Sequence, residues 1–471
     1  SSAASDVYKR QGKAKTLMTG AMIALTRPKM APITKNEPMV SQRPSPPYGV
    51  SFTCGMTKVA AQRPTALTMV LIRKRNIVQF SQYRAKLGCV TPDNSTPMMQ
   101  LLAPDGTYGV PAQYARYGEI IDSLGEDQLK TFYRDMARIR RFDIEAIALQ
   151  RQGQLGLWVP AIGQEGAQIG SGYAVGPNDH IFPSYREHGV AITHGVELMS
   201  ILKMMRGVNH GGWNPEETRY HLYSIVLGAQ VLHAVGYAMG VKFDGRVGTG
   251  DKDSDLAVIS YFGDGATAEG DVSESLLFAA VNEAPIVFFV QNNQWAISSP
   301  VEKLTKVPLY MRGSGFGVPG MRVDGNDVLA CYAATKIHMD EAREGAGPYL
   351  IEALTYRIGA HTTSDDPSKY RDESEVEYWK ARDPITRFEA FLRRQGVEDA
   401  FFEEVKQAGD ELAADIREQT FALKTPPLEN IFDFVYSDSH PDIDQQRAWL
   451  KAYEESMGTH CLLYTSDAAD E

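Results

Sequence analysis

The sequence predicts a parallel α/β fold: a doubly wound sheet with helices on both faces and a helical C-terminal region. Helical patterns such as residues 127–152 alternate with short apolar runs at 256–262 and 285–290, which is typical of parallel sheets. Both runs are apolar on both faces, and a strand tolerates this when helices cover its sheet on two sides. Beyond Pro367 the pattern becomes charged and helical, which predicts a peripheral helical region.

The later elements each have a local signal. An apolar run at 349–353 predicts another strand. The segment that follows, 357–366 (RIGAHTTSDD), is too polar to be buried and predicts a loop at the end of that strand. Farther on, we expect one helix at 375–382, with Ser374 as a candidate cap, and a second helix at 384–394.

Charge is distributed unevenly along the 471 residues. Residues 1–97 contain 15 basic and 3 acidic side chains, a net charge of +12 that leaves −23 for the rest of the chain, and such asymmetry indicates a tail-like segment. The segment has no sustained period, so we expect a disordered extension or non-native sequence upstream of a start at Met98 or Met99. A targeting peptide is a third reading. We also expect residues 456–471 to be a non-native tail and place the folded domain at 98–455.

The composition argues against several classes of protein. Hydrophobic residues make up 43% of the chain and charged residues 23%, as in a globular protein. The net charge of −11 argues against a nucleic-acid surface, which needs clustered Lys and Arg. No run approaches the roughly 18 apolar residues of a membrane span, and the four cysteines lack the spacing of a zinc site or disulfide framework. We therefore expect neither nucleic-acid nor membrane binding, and a cytoplasmic location.

A candidate ligand site lies where the first two predicted strands end. One strand runs into the motif GDG at 263–265, and a helix is expected after it at about 268–281. The next strand runs into the Asn pair at 292–293. Because the carboxyl ends of adjacent parallel strands meet at the edge of the sheet where ligands bind, we expect Asp264 and Asn293 to converge.

The residue types at this edge suit a metal ion and a phosphate. Gly263 and Gly265 let the backbone approach a phosphate, and the amides of Gly265 and Ala266 face the start of a helix, which favours an anion. One carboxylate and one amide oxygen suit a hard cation such as Mg²⁺, and the carbonyl of Trp295 could supply another ligand.

Three further segments carry candidate site residues. Tyr185 and Arg186 lie in a predicted loop, and a hydroxyl beside a guanidinium suits a diphosphate; a loop salt bridge is the alternative. Leu227 precedes a predicted helix and could equally be part of the core. Arg357 and His361 lie in the polar loop after the predicted strand at 349–353.

The motif pair GDGATAEG and QNNQWAIS resembles the thiamine diphosphate signature, in which a GDG is followed farther along the chain by NN. The segments IGQEGAQIGSG, FPSYREHG, IVLGAQ, RVDGNDV and TYRIGAHTTSDDPSKYR resemble the E1 alpha subunits of branched-chain 2-oxo acid and pyruvate dehydrogenases. The resemblance extends from about 98 to 455. It implies a thiamine diphosphate-binding fold, oxidative decarboxylation of a 2-oxo acid, and transfer of the acyl product to the lipoyl group of an E2 acyltransferase.

The resemblance also implies a role for each candidate residue. The Mg²⁺ ligands would be Asp264, Asn293 and the main-chain oxygen of Trp295. The residues binding thiamine diphosphate would be Tyr185, Arg186, Leu227, Gly263, Asp264, Gly265, Ala266, Asn293, Arg357 and His361. His361 would also be catalytic, because it assists transfer to the lipoyl group. The glutamate that activates the pyrimidine ring comes from a beta subunit in two-subunit E1 enzymes, which implies an α2β2 assembly.

Three positions depart from the branched-chain relatives. Ala229 replaces a Thr that helps to bind a monovalent cation, so we predict no potassium site. Ser184 replaces a Gln, and Gln291 replaces an Arg. Two alternative functions stay open: an acetoin dehydrogenase alpha subunit, which shares these motifs, and a non-catalytic module that binds Mg²⁺ or phosphate.

Overall fold

The computed structural model describes residues 97–209 and 211–457. The predictions for 1–97 therefore fall, apart from Pro97, outside the described residues. Most of the predicted tail at 456–471 lies outside them too. The last described helix continues to Met457, so the predicted domain end at 455 lies within its final turn.

The centre of the fold is a sheet of five parallel strands. The strands in chain order are β1 (His180–Phe182), β2 (Val258–Gly263), β3 (Ile286–Asn292), β4 (Trp295–Ala296), β5 (Ser299–Pro300), β6 (Gly320–Asp324) and β7 (Tyr349–Leu354). The five-stranded sheet has the order β1-β2-β3-β7-β6 with every neighbour parallel, while β4 and β5 form a separate antiparallel hairpin. The predicted parallel sheet is confirmed.

Fourteen α-helices surround the sheet in the described part of the chain. They are α1 (Ala115–Asp122), α2 (Glu126–Arg151), α3 (Glu165–Ala174), α4 (His188–Thr193), α5 (Leu198–Arg206), α6 (Pro215–Thr218), α7 (Ala229–Phe243), α8 (Gly270–Asn282), α9 (Met311–Ser314), α10 (Val328–Arg343), α11 (Glu373–Lys380), α12 (Pro384–Arg394), α13 (Asp399–Ala422) and α14 (Pro441–Met457). None of these described helices is both long and apolar enough to span a membrane.

Two hydrophobic cores lie on opposite faces of the sheet. Alternate residues of β2 and β3 point to each face: Ile259 and Phe289 belong to one core, while Phe262 and Phe288 belong to the other. The first core is completed by α2, α3 and α10, and the second by α7 and α8. The prediction of helices on both faces is confirmed, and it explains why both strands are apolar on both sides.

The C-terminal region is helical, as predicted, but one cap is different. The first helix, α11, begins at Glu373, and the side chain of its N-cap Asp372 accepts a hydrogen bond from the amide of Ser374. The expectation that Ser374 caps this helix was wrong, because an Asp two residues earlier satisfies the free amides of the first turn. The second helix spans Pro384–Arg394 as predicted, and its buried Arg387 forms an ion pair of 2.7 Å with Asp324 at the end of β6.

Candidate active site

A cavity of about 370 Å³ lies at the carboxyl ends of β1, β2 and β3. Its wall contains ten of the residues that the sequence predicted for the site: Tyr185, Arg186, Leu227, Gly263, Asp264, Gly265, Ala266, Asn293, Trp295 and His361. Of the predicted residues, only Arg357 lies outside the lining. A larger groove of about 570 Å³ between α2, α12 and α13 contains none of the predicted residues. The loops at this edge of the sheet therefore bring the predicted site together.

The GDG segment lies at the end of β2, next to β3. Gly263 pairs with Gln291 across the two strands, so the chain leaves both strands at the same level. Gly265 begins a 3-10 turn, Gly265–Ala268, and a Cβ added at Gly265 would lie 2.9 Å from the Cβ of Ala296. Glycine is required there because the β4–β5 hairpin packs directly on this turn.

Asp264 is a buried carboxylate with an unsatisfied oxygen. The residue is 1% exposed, and its Oδ2 has no hydrogen-bond partner among the described residues. Burial raises the pKa of Asp264 to about 7, opposed by backbone hydrogen bonds and by the charges of Arg357 and Arg186. An unpaired carboxylate in such a place is costly unless a cation or donor completes it.

Asn293 and Trp295 lie beside this carboxylate. The Asn293 side chain donates to Gln164 Oε1 at 3.3 Å, and its own oxygen accepts the amide of Trp295 at 3.3 Å. The backbone on either side of Trp295 adopts left-handed conformations, with φ of 69° at Gln294 and 55° at Ile297. A β-branched residue in that conformation is strained, and such strain is concentrated at functional sites.

Arg357 lies behind the cavity. Its guanidinium donates to the carbonyls of Trp295 at 3.2 Å and Ile297 at 2.8 Å, and to the hydroxyl of Tyr370 at 3.0 Å. The expectation that the polar loop is too polar to be buried was wrong at this position, where the side chain is 1% exposed. Backbone carbonyls supply the hydrogen bonds that make its burial possible.

Two guanidiniums converge on His361. Arg186 and Arg357 each place a nitrogen 3.1 Å from His361 Nδ1, and the ring of Tyr185 stands edge-on to the imidazole. Because both partners can only donate, Nδ1 accepts and the ring proton resides on Nε2. Burial, with the charges of Arg186 and Arg357, lowers the pKa of His361 to about 3. The imidazole is therefore neutral at physiological pH.

Neither of these guanidiniums forms an ion pair in the described part of the chain. Arg186 is 5% exposed and Arg357 is 1% exposed. Burial, and the charge of Arg186, lower the pKa of Arg357 to about 10. Two buried guanidiniums that form no ion pair, one of them in the cavity wall, are suited to binding an anion.

Leu227 lies at the mouth of the cavity, immediately before α7. The helix begins at Ala229 after Gly228, whose φ of 84° reverses the chain. The predicted position of Leu227 before a helix is confirmed, and the alternative of ordinary core is not, since the side chain is 42% exposed.

Sequence reasoning missed several polar residues of the cavity wall, among them Gln164, Gln230 and Glu187. Gln164 Nε2 and Gln230 Oε1 are buried without a partner among the described residues, and both side chains line the cavity. Glu187 lines it as well. Gln164 and Gln230 fall within the motifs IGQEG and IVLGAQ, but their spacing alone carried no signal, because buried glutamines usually satisfy the backbone of a fold.

The chain matches known proteins over most of its length. A family model described as the dehydrogenase E1 component matches residues 133–430. The chain is 42% identical over 356 residues to the 3-methyl-2-oxobutanoate dehydrogenase subunit alpha of Mycobacterium tuberculosis, covering 75% of this chain and 93% of that protein. It is 36% identical over 340 residues to the pyruvate dehydrogenase E1 component subunit alpha of Staphylococcus aureus, covering 71% and 90%.

A second pyruvate dehydrogenase E1 component subunit alpha, from Acholeplasma laidlawii, is 38% identical over 341 residues, covering 71% of this chain and 96% of that protein. The family match alone spans more than half of the chain. It includes the loop of Tyr185 and Arg186, the strands β2 and β3 that end at the GDG and NN motifs, and the loop of His361. The chain therefore belongs to the dehydrogenase E1 component family, as an alpha-type subunit.

Proposed function

We propose that this E1 alpha subunit holds the Mg²⁺ and diphosphate of thiamine diphosphate in the cavity at the ends of β1, β2 and β3. The observation that carries the proposal is that one cavity contains both a carboxylate suited to a cation and a guanidinium suited to an anion. Asp264 has an unsatisfied buried carboxylate oxygen, while Arg186 has a buried guanidinium that forms no ion pair in the described part of the chain. A metal ion bridged to a diphosphate satisfies both groups at once.

The residues present fit this cofactor. Asp264, the side-chain oxygen of Asn293 and the carbonyl of Trp295 would hold Mg²⁺, with diphosphate oxygens completing its shell. Tyr185, Arg186 and the backbone of the segment from Gly263 to Ala266 would hold the diphosphate. When bound, the thiazolium supplies the electron sink that lets carbon dioxide leave a 2-oxo acid.

His361 would act as a neutral hydrogen-bond donor. With Nδ1 held by Arg186 and Arg357, its Nε2–H is the group left to face a ligand in the cavity. In this role it orients an oxygen of the diphosphate, or of the lipoyl acceptor, without carrying charge. Arg357 acts behind it, by fixing the ring and the carbonyl of Trp295.

We propose a branched-chain 2-oxo acid as the preferred substrate. Apolar side chains of Leu157, Val159, Met205, Ile225 and Leu227 line the same cavity as Asp264. An apolar wall contributes about 0.8 kcal/mol for each buried methylene, so it favours a branched side chain over the methyl group of pyruvate. The higher identity to the mycobacterial 3-methyl-2-oxobutanoate dehydrogenase subunit supports the same preference.

A beta subunit would complete the enzyme, with the lipoyl domain of an E2 acyltransferase as acceptor. The helices α7 and α8 pack together, and both carry exposed apolar side chains. These are Leu232, Tyr237 and Phe243 on α7 and Leu277, Phe278 and Val281 on α8, with Ile225 and Val226 in the segment before α7. Gly236 and Gly240 on α7 have open space where a Cβ would be. A concentration of exposed apolar side chains on two packed helices indicates a protein interface.

Substrate comparison tests this function. The chain is assembled with a beta subunit and supplied with thiamine diphosphate, Mg²⁺ and a lipoyl domain. The assay measures its decarboxylation of 3-methyl-2-oxobutanoate and of pyruvate, and its carbon–carbon cleavage of acetoin. We expect kcat/KM for the branched substrate to exceed that for pyruvate by at least about tenfold, or about 1.4 kcal/mol. Preference for acetoin would identify the acetoin dehydrogenase alternative. Metal and cofactor binding without turnover of any substrate would identify a non-catalytic module.

The loop from Arg357 to Arg371 is expected to tighten when the cofactor binds. Lys369 in this loop is exposed, so trypsin should cleave there in the free protein and more slowly with thiamine diphosphate and Mg²⁺. Thr362 lines the cavity next to His361, so Thr362→Glu should repel the diphosphate and abolish the protection.

Ser364→Glu is the matched control for that experiment. It adds the same charge two residues farther along, at an exposed position outside the cavity lining, so protection should persist. Equal cleavage of the unmodified protein with and without cofactor would refute the prediction that cofactor binding tightens this loop.

A further inference from the structure

A buried carboxylate lies directly behind the loop that carries Tyr185 and Arg186. Glu187 is 1% exposed, and its Oε2 accepts hydrogen bonds from the amide of Ser184 at 2.7 Å, the hydroxyl of Ser184 at 2.8 Å and the amide of Arg186 at 3.3 Å. Its Oε1 accepts from Gln291 Nε2 at 2.6 Å. Burial raises the pKa of Glu187, while the hydrogen bonds of Ser184 and the charge of Arg186 oppose this.

The contact with Gln291 continues into a chain of side chains. Gln291 Oε1 accepts from Gln168 Nε2 at 3.1 Å, and Gln168 Oε1 accepts from the amide of Gly189 at 2.8 Å. Gln168 Nε2 also donates to the carbonyl of Arg186 at 3.0 Å. This hydrogen-bonded series of side chains therefore holds both backbone groups of Arg186: Glu187 accepts from its amide, and Gln168 donates to its carbonyl.

The direction of the hydrogen bonds in this chain is set at both ends. The amide of Ser184 donates inward at one end, and the amide of Gly189 donates inward at the other. A primary amide in this series accepts one hydrogen bond through its oxygen and donates one through its nitrogen. If all three side chains were amides, two N–H donors would face each other somewhere in the series. The chain is satisfied only if one of its three side chains accepts without donating, as an ionised carboxylate does.

We infer that Glu187 is a positioning residue: as the one acceptor-only member of the chain Glu187–Gln291–Gln168, it fixes the backbone of Arg186 and thereby aims the Arg186 guanidinium at the diphosphate. The inference rests on the proposed function only for the identity of the anion. Gln291 pairs with Gly263 and lies two residues before Asn293. The same series of hydrogen bonds therefore also positions the loop of Tyr185 and Arg186 relative to the strand ends that carry Asp264 and Asn293.

The geometry predicts that the carboxylate can be moved from position 187 to position 291 without loss of the hydrogen-bond series. Glu187→Gln makes all three members amides and leaves a buried donor facing a donor, which costs a hydrogen bond in the interior. Adding Gln291→Glu restores an acceptor-only member, now between the amides of positions 187 and 168. The double variant has the same atoms as the original pair, exchanged between the two positions.

The experiment compares the full-length chain, Glu187→Gln, Gln291→Glu and the double variant. Calorimetry with thiamine diphosphate and Mg²⁺ measures affinity, and amide hydrogen exchange without any ligand measures the protection of Arg186 and Gly189. We expect Glu187→Gln to weaken binding at least about tenfold and to accelerate exchange at both amides. The double variant should recover most of both losses.

Two results would overturn the inference: unchanged affinity and exchange in Glu187→Gln, or a double variant that is as impaired as the single ones. The second result would indicate loss of packing rather than of hydrogen-bond direction. The exchange measurement needs no cofactor, so it separates this inference from the proposed function. If the protein binds no thiamine diphosphate, yet amide protection is lost in Glu187→Gln and restored in the double variant, the cofactor assignment is refuted and the role of Glu187 is retained.

Discussion

Asp264→Ala is expected to reduce the affinity of the chain for Mg²⁺ and thiamine diphosphate at least about 100-fold, or about 3 kcal/mol, with little loss of folding stability. The two effects separate because Asp264 Oδ2 has no partner among the described residues. Removing a buried carboxylate that has one unsatisfied oxygen relieves a desolvation cost, whereas a metal loses its one charged protein ligand. Asp264→Asn should behave in the same way, since the amide keeps the shape and lacks the charge.

Calorimetry and thermal unfolding of the same samples test this prediction. Asp179→Asn is the matched control, because Asp179 is an equally buried carboxylate just before β1, at the opposite edge of the sheet. It forms an ion pair with Arg343 and accepts the amide of Ala257. We expect this control to lower the thermal midpoint and leave metal affinity unchanged. A folded Asp264→Ala protein with unaltered affinity would refute the metal assignment.

The purified chain alone is expected to decarboxylate 2-oxo acids at least about 1000-fold more slowly than the chain assembled with a beta subunit. Two carboxylates line the cavity in the described part of the chain, Asp264 and Glu187. The first is proposed to bind the metal, and both oxygens of the second are occupied by Ser184 and Gln291. No lining carboxylate is left to hold a proton at the pyrimidine ring, and acid–base catalysis of this kind contributes about 10² to 10⁴ in rate.

Decarboxylation assays at fixed chain concentration, with and without the beta subunit, measure the difference. The assembled Asp264→Ala variant is the control, because it retains the partner and lacks the metal ligand; it should stay inactive. Turnover by the isolated chain at a rate close to that of the assembly would show that this chain supplies its own acid–base group.

Much of the site could be predicted from the sequence because it lies at strand ends. The run AVISYF ends in GDG and PIVFFV leads into NN, and the parallel pairing of β2 with β3 brings both ends to one edge. The Tyr185–Arg186 loop follows β1 by the same logic. These positions depend on local pattern and on a general rule of parallel sheets, so they needed no knowledge of the remaining packing. The cofactor roles of the individual residues stay predictions.

Other features could not be predicted, because they depend on partners far away in the chain. The burial of Arg357 depends on carbonyls of the β4–β5 hairpin about sixty residues earlier. The cap at Asp372 depends on a boundary shift of two residues, which periodicity does not resolve. The pairing of Arg186 with His361 joins residues 175 positions apart. From sequence alone a polar side chain is predicted to be exposed. Whether it is buried depends on hydrogen-bond partners that lie far away in the sequence.

The sequence by itself determined the fold class, the edge of the sheet that carries the site and the family, since these follow from apolar periodicity, strand-end motifs and resemblance. The tertiary structure alone decided which polar groups are satisfied. It left Asp264 Oδ2 without a partner among the described residues, set two guanidiniums against one imidazole nitrogen, and joined Glu187 to Gln291 and Gln168. The physical reason is that hydrogen bonds are short and directional, so their pairing depends on the final positions of distant residues, whereas apolar burial is non-directional and is written into local pattern.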